Sequence, residues 1–135
     1  MSAREEILKA ITANKPSFVE LPVIDIAQVI QYNDLIRQFK TVLQSIGGTA
    51  IEITDLDALK KELEAKKAAG EVVVNRIAEL GTLDDSIAAL TATELAAVEV
   101  AYLKATLGVA ENGSVWLYES QMGNRLLPFI CQHLV

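Results

Sequence analysis

Four consecutive residues, Glu111-Asn112-Gly113-Ser114, are the best candidate chemistry in the chain. Asn-Gly accepts positive φ cheaply, so the backbone turns tightly there and exposes the carboxylate just before it. At the end of a sheet strand in an open α/β fold, that is where ligands usually bind. Glu111 is then the candidate catalytic group, with Asn112, Gly113 and Ser114 beside it. The plainer alternative is a β-turn with a solvated Glu, and spacing alone favours it because Asn-Gly turns are common. Asn124 and Arg125 follow a second turn signal at Gly123. Arg125 is either a bidentate partner for a small carboxylate or a surface Arg in a turn. His133 sits in an apolar run, where a core or interface histidine is the commoner outcome than a catalytic base. Cys131, in the same run, reads as a small buried apolar residue. Trp116 reads as packing, and Asp84-Asp85 as a cap for a short helix after Thr82. No glycine-rich phosphate loop, nucleotide fingerprint or hydrolase elbow is present.

Composition narrows the class. A chain of 135 residues is one domain long, enough to bury about two-thirds of its unfolded surface. Half of it is apolar with few aromatics, so the core is Ala, Val, Ile and Leu, the filling of helices on a largely parallel sheet. The net charge is -6, and Lys60, Lys61, Lys66 and Lys67 alternate with Glu62 and Glu64, so no basic patch suits a nucleic acid. One cysteine and one histidine rule out an intramolecular disulfide and a cysteine metal cluster within one chain. The acidic N-terminus is unlike a secretory signal, and no apolar run approaches bilayer-spanning length, so the expected location is the cytoplasm, away from any membrane.

The elements that must position these residues follow from local rules. Ser2 with Glu5 is a capping box, predicting a helix over 3–13. Residues 17–23, with Pro16 just before them and Pro22 among them, form an extended arm for the main body or a second subunit, as suits a homo-oligomer. Asp25 with Gln28 predicts a long helix over 26–46, burying Val29, Tyr32, Ile36, Phe39, Leu43 and Ile46, stopped by Gly47-Gly48. A strand at 49–53 follows. A helix capped by Thr54 or Asp55 then runs to 69, with Leu56, Leu59 and Leu63 inward and Asp57/Lys61 and Glu62/Lys66 as outer pairs. Gly70 ends it, and Val72-Val73-Val74 is an apolar strand. That rhythm predicts a parallel sheet with crossover helices. Residues 95–105 fit a helix or a strand equally. Residues 114–118 and 126–135 read as strands around a turn at 121–124, a hairpin near the C-terminus. The chain ends on apolar Leu134-Val135, as a fragment would, or an end buried in a contact.

The run Ala110-Glu111-Asn112-Gly113-Ser114-Val115-Trp116-Leu117, then Gly123-Asn124-Arg125-Leu126-Leu127, Pro128 and His133, resembles the core of the LUD-domain family, which includes the lactate-utilisation protein C group. The family pattern is Ala-(Glu/Asp)-(Thr/Ser)-Gly-Thr, a strand, Gly-Asn with an Arg close behind, then a Pro and a His. The resemblance implies a Rossmann-like α/β/α sandwich of NagB/RpiA/CoA-transferase type, mostly parallel. It implies one LUD-type domain over 1–135, with an N-terminal helix and arm at 1–24 and an α/β core at 25–135 that is incomplete at its C-terminus. It also makes 97–102 a strand. Members act with iron-sulfur proteins in oxidising lactate to pyruvate, and the clusters reside in those partners, so no cofactor is expected in this chain. The implied role is an accessory or substrate-binding subunit for a small carboxylic acid. The catalytic residue would be Glu111, with Asn112, Gly113, Ser114, Asn124, Arg125 and His133 around the substrate. Departures are Asn112 for Thr or Ser, Ser114 for Thr, and Leu103 and Thr106 where the family shows Thr and Asp; they put a shared ligand site in question. Glu111-Asn112-Gly113 is also similar to the Ser-Glu-Asn-Gly motif of class I CoA-transferases, whose Glu becomes a glutamyl-CoA thioester. Those enzymes' glycine-rich oxyanion loop has no counterpart here. A structural or regulatory module that kept the fold and lost the chemistry is the third alternative.

Overall fold

Ser2 opens the described part of the chain, residues 2–135 of a computed structural model, and it does so as a helix cap. Its hydroxyl accepts from the Glu5 amide, and its own amide donates to the Glu5 carboxylate at 2.7 Å. Helix α1 runs Ala3–Ala13 as the capping box requires. The chain divides into two units, Met1–Gln31 and Tyr32–Val135. Within the first, the Asp25 carboxylate accepts from Ala27 but caps only a 3-10 turn, Ile26–Gln28. No described residue of this unit is buried, so it has no core of its own.

The long helix expected over 26–46 is therefore broken. Its second part is α2, Leu35–Ser45, started afresh by Asp34, whose carboxylate accepts from the Arg37 amide at 2.9 Å. Asn33-Asp34 explains the break: short polar side chains bind nearby backbone and favour a cap over a helix interior. The expected apolar stripe is shortened accordingly. Phe39 and Leu43 are half-buried, while Ile36 and Ile46 are exposed. Gly47, with φ of 92°, stops α2 as anticipated, and the Gly48 amide donates to the Leu43 carbonyl.

Residues 49–53 form no strand, since no neighbouring strand pairs with them. Helix α3, Asp57–Ala68, buries Leu63 and half-buries Leu59, but Leu56 stays exposed. Neither expected outer pair forms. Lys66 instead meets Glu71, Lys67 meets Asp84, and Glu62 accepts from the Tyr102 hydroxyl.

Three strands make a parallel sheet in the order β1 (Val73–Asn75), β2 (Val100–Tyr102), β5 (His133–Leu134). Strand side chains alternate, so the central strand feeds two cores. On one face Val74 and Ala101 pack with Ile87, Leu95, Val98 and Leu127; on the other Val100 and Tyr102 pack with Leu63, Ile77 and Leu80. Helix α3 covers the second face, and α4 (Ala92–Leu95) with α6 (Leu127–Ile130) covers the first. Leu95 and Leu127 are fully buried, each stabilising the fold by about 1.5–3 kcal/mol. The architecture is mixed α/β with a small parallel sheet.

Two expectations for the C-terminal third change. In the ambiguous segment 95–105 only Leu95 is helical, as the last residue of α4, and the strand β2 follows at Val100–Tyr102. The run 126–135 is a helix and then a short strand, because Pro128 in the first turn of α6 suits a helix start and interrupts a strand. The hairpin lies earlier: β3 (Leu107–Val109) pairs antiparallel with β4 (Ser114–Trp116), Leu107 opposite Trp116. Residues 121–124 instead close a single helical turn, α5 (Glu119–Met122), ended by Gly123 with φ of 71°. No helix among the described residues is long and apolar enough to cross a membrane.

Candidate functional site

Glu111 to Gly113 form the tip of the β3–β4 hairpin. The Gly113 amide donates to the Val109 carbonyl at 2.9 Å and closes it. The Asn112 side-chain oxygen accepts from the Ser114 amide at 3.0 Å and the Ser114 hydroxyl at 2.7 Å. This is an Asx turn, so the amide oxygen of Asn112 and the hydroxyl of Ser114 are spent on each other. Gly113 is buried with φ of 69°, and a Cβ there would sit 3.1 Å from the Leu43 backbone nitrogen. The tip is thus pressed onto the backbone of α2. Glu111 stays exposed, and its carboxylate makes no hydrogen bond or ion pair among the described residues. Beside it, Ala110 lines an open apolar hollow of about 280 Å3 with Leu35, Ile36, Phe39 and Gly108.

The second group of candidates has a different setting. The Asn124 side-chain amide donates to the carbonyls of Ile87 and Leu90, both at 3.0 Å, and its oxygen accepts from Leu126. Asn124 therefore ties the turn before α6 to the 3-10 segment Asp85–Ala89. Arg125 is exposed and unpaired among the described residues. His133 is exposed on β5, where its backbone amide donates to the Glu99 carbonyl. Cys131 is half-buried, and burial pushes its thiol above the usual range. Among the described residues, no hydrogen bond or ion pair joins the hairpin tip to Asn124, Arg125 or His133. None of them gathers three possible metal ligands either.

The most constrained polar cluster lies at the carboxyl end of β1. Asn75 is 1% exposed; its side chain donates to the Thr82 carbonyl and accepts from the Ile77 amide. The Asp84 carboxylate accepts from the Asn75 amide at 2.7 Å, which replaces the helix-capping role expected of it. Next to Asn75, the Arg76 side chain is only 7% exposed. Its Nη1 donates to Asp85 at 2.6 Å and its Nη2 to the Ser120 carbonyl at 3.4 Å. Its Nε is buried without an acceptor among the described residues. Leaving such a donor unpaired costs about 1–3 kcal/mol. Gly123 lies against the guanidinium, where a Cβ would come within 2.8 Å of Nε. The sequence does hold a signal for this cluster: Asn75-Arg76 directly follows the apolar run Val72-Val73-Val74, at the strand end where open α/β sheets bind ligands. What hides it is that the partners, Asp85, Ser120 and Gly123, come from distant segments. Comparison with protein-family models, curated proteins and solved structures finds no match to this chain.

Proposed function

We propose that this chain is a LUD-type accessory subunit. In this reading it binds a small carboxylic acid in the cytoplasm and works with iron-sulfur proteins that oxidise lactate to pyruvate, on a core of NagB/RpiA/CoA-transferase type. The observation that carries the reading is strand β2. The residues at 95–105 fit a helix or a strand equally, with Ala and Glu favouring the helix, and the resemblance implied the strand; the chain runs as the central parallel strand from Val100 to Tyr102, which supports the reading. Helices on both faces of that sheet agree with a Rossmann-like sandwich. Oxidising lactate to pyruvate removes two electrons and two protons. The electrons go to clusters in the partners, since one cysteine cannot hold a four-thiolate cluster here.

Reconstitution tests the proposal. Lactate-utilisation iron-sulfur proteins supplied with L-lactate are expected to yield pyruvate faster when this chain is added. An unchanged rate removes the accessory role. If Glu111→Gln and Arg125→Ala each leave the reconstituted rate untouched, the site assignment from the family pattern fails. The exposed, unpaired Glu111 keeps a second reading, in which its carboxylate attacks an acyl-CoA, releases the acyl group as the free acid and ends as a glutamyl-CoA thioester. Absence of that mass adduct across several acyl donors removes this reading. A chain that bound no small acid at all would be a non-catalytic module of the same fold.

A further inference from the structure

We infer that the carboxylate of the small acid is received by Arg76, under the turn made by residues 118–123, and not by Arg125. This rests on the carboxylate-binding reading above and names the group that does the binding. Three independent features meet at Arg76. It follows β1 at the carboxyl end of the parallel sheet, with its own amide bound to the Tyr102 carbonyl of the neighbouring strand. Its guanidinium is buried and pre-oriented, because Asp85 holds Nη1 at 2.6 Å. Its remaining edge is unspent: Nε has no acceptor among the described residues, and Nη2 has only the long 3.4 Å bond to Ser120. A planar carboxylate with two oxygens is the ligand that satisfies two N–H groups of one guanidinium together. Arg125, exposed on the surface, would pay for the same pairing in water, where it is worth little.

Ligand reaches this edge by displacing the turn that roofs it. Helix α5 is a single turn of four residues, too short to persist without tertiary support. That support is slight. Gln121 exchanges hydrogen bonds with the Thr106 hydroxyl and accepts from the Tyr118 amide, and Ser120 takes the long bond from Arg76; Gln121 to Gly123 are half-buried, while Tyr118, Glu119 and Ser120 are exposed. Gly123, at φ of 71° against Nε, is the point where the roof touches the guanidinium. Segments held this lightly open at low cost. The Trp116 and Tyr118 rings, 6.5 Å apart and edge-on, sit at the start of the same turn, so lifting it changes the environment of the only tryptophan.

Two measurements on the wild-type protein test the inference without risk from a misfolded variant. Pyruvate and L-lactate are titrated in turn while Trp116 fluorescence is followed, with lactamide as the uncharged control. In parallel, arginine Nε–H resonances are followed in protein labelled with 15N-arginine. Saturable quenching or enhancement by the acids, absent with lactamide, is expected, together with a shift of the Arg76 Nε–H signal along the same binding curve. Arg76→Lys is expected to weaken binding roughly 10–100-fold, because an ammonium cannot form the two-toothed pairing. If the acids bind but the Arg125 signal moves and the Arg76 signal does not, the inference is overturned while carboxylate binding survives. If neither acid binds, the carboxylate-binding reading falls and takes this inference with it.

Discussion

Replacing Gly113 by alanine puts a methyl group into the most confined point of the β3–β4 hairpin. Two costs add. A φ of 69° is left-handed, which costs a residue with a Cβ roughly 1–2 kcal/mol. The new Cβ also meets the Leu43 nitrogen at 3.1 Å, the Leu43 Cα at 3.2 Å and Val42 Cγ1 at 3.5 Å. Two of those atoms are helix backbone and cannot swing aside, so the tip or α2 must shift, at a further ~1–3 kcal/mol typical of overpacking. The more restricted unfolded chain returns about 0.4–1 kcal/mol. The net expectation is a loss of about 1–4.5 kcal/mol, centred on ~3, or a fall in melting temperature of roughly 10 °C for a domain of this size at the centre of that range. Urea unfolding followed by Trp116 fluorescence is the suitable assay, because Trp116 stands on β4 beside the tip. A loss below about 0.5 kcal/mol, within the range of ordinary surface substitutions, would refute the packing of the tip onto α2. It would leave Asn112-Gly113 as a free turn.

Two further predictions concern neighbouring residues with opposite roles and a buried phenol. Asn124→Ala removes three hydrogen bonds, to Ile87, Leu90 and Leu126, and should cost about 2–3 kcal/mol in urea unfolding, whereas exposed Arg125→Ala should stay within about 0.5 kcal/mol. Equal effects would contradict the structural role of Asn124. Burial first, and then the Glu62 carboxylate that accepts from its hydroxyl, push Tyr102 up to about 12 from 10.0. The unfolded chain then ionises near pH 10 while the folded one does not, so stability falls between pH 10 and 12. Tyr102→Phe should lose that slope while remaining stable at neutral pH. Tyrosinate absorbance of the wild type minus that of Tyr102→Phe isolates this phenol, and a difference curve centred near pH 10 would overturn the burial argument.

Much of the local structure was legible in the residues. The Ser2–Glu5 box, the glycine stops at 47 and 70, α3, the apolar run at 72–74 and the turn at Asn112-Gly113 were all expected. Each depends on atoms within about one helical turn, and so does the plain reading of Glu111 to Ser114 as a β-turn with a solvated Glu. The expectations that changed depended on partners far along the chain. A helix over 26–46 was plausible by periodicity, but Asp34 captured the Arg37 amide and restarted it. Residues 49–53 had strand composition but no neighbour to pair with.

By itself, the sequence determined the Ser2–Glu5 cap, the glycine stop at 47, the Asn112-Gly113 turn and a mixed α/β class built from aliphatic side chains, whereas the cap expected from Asp84-Asp85 did not form. Only the tertiary structure decided that Val100 to Tyr102 would be a strand, because its hydrogen bonds go to Val73–Asn75 on one side and His133–Leu134 on the other. It likewise decided where the candidate site residues stand: Glu111 to Ser114 on a hairpin against α2, Asn124 as a tie between segments, and Arg125 and His133 at the surface. Arg76 shows the reason most plainly. As a letter following an apolar strand it is an ordinary charged residue; it becomes a buried, half-satisfied guanidinium only when Asp85, Ser120 and Gly123 are folded around it.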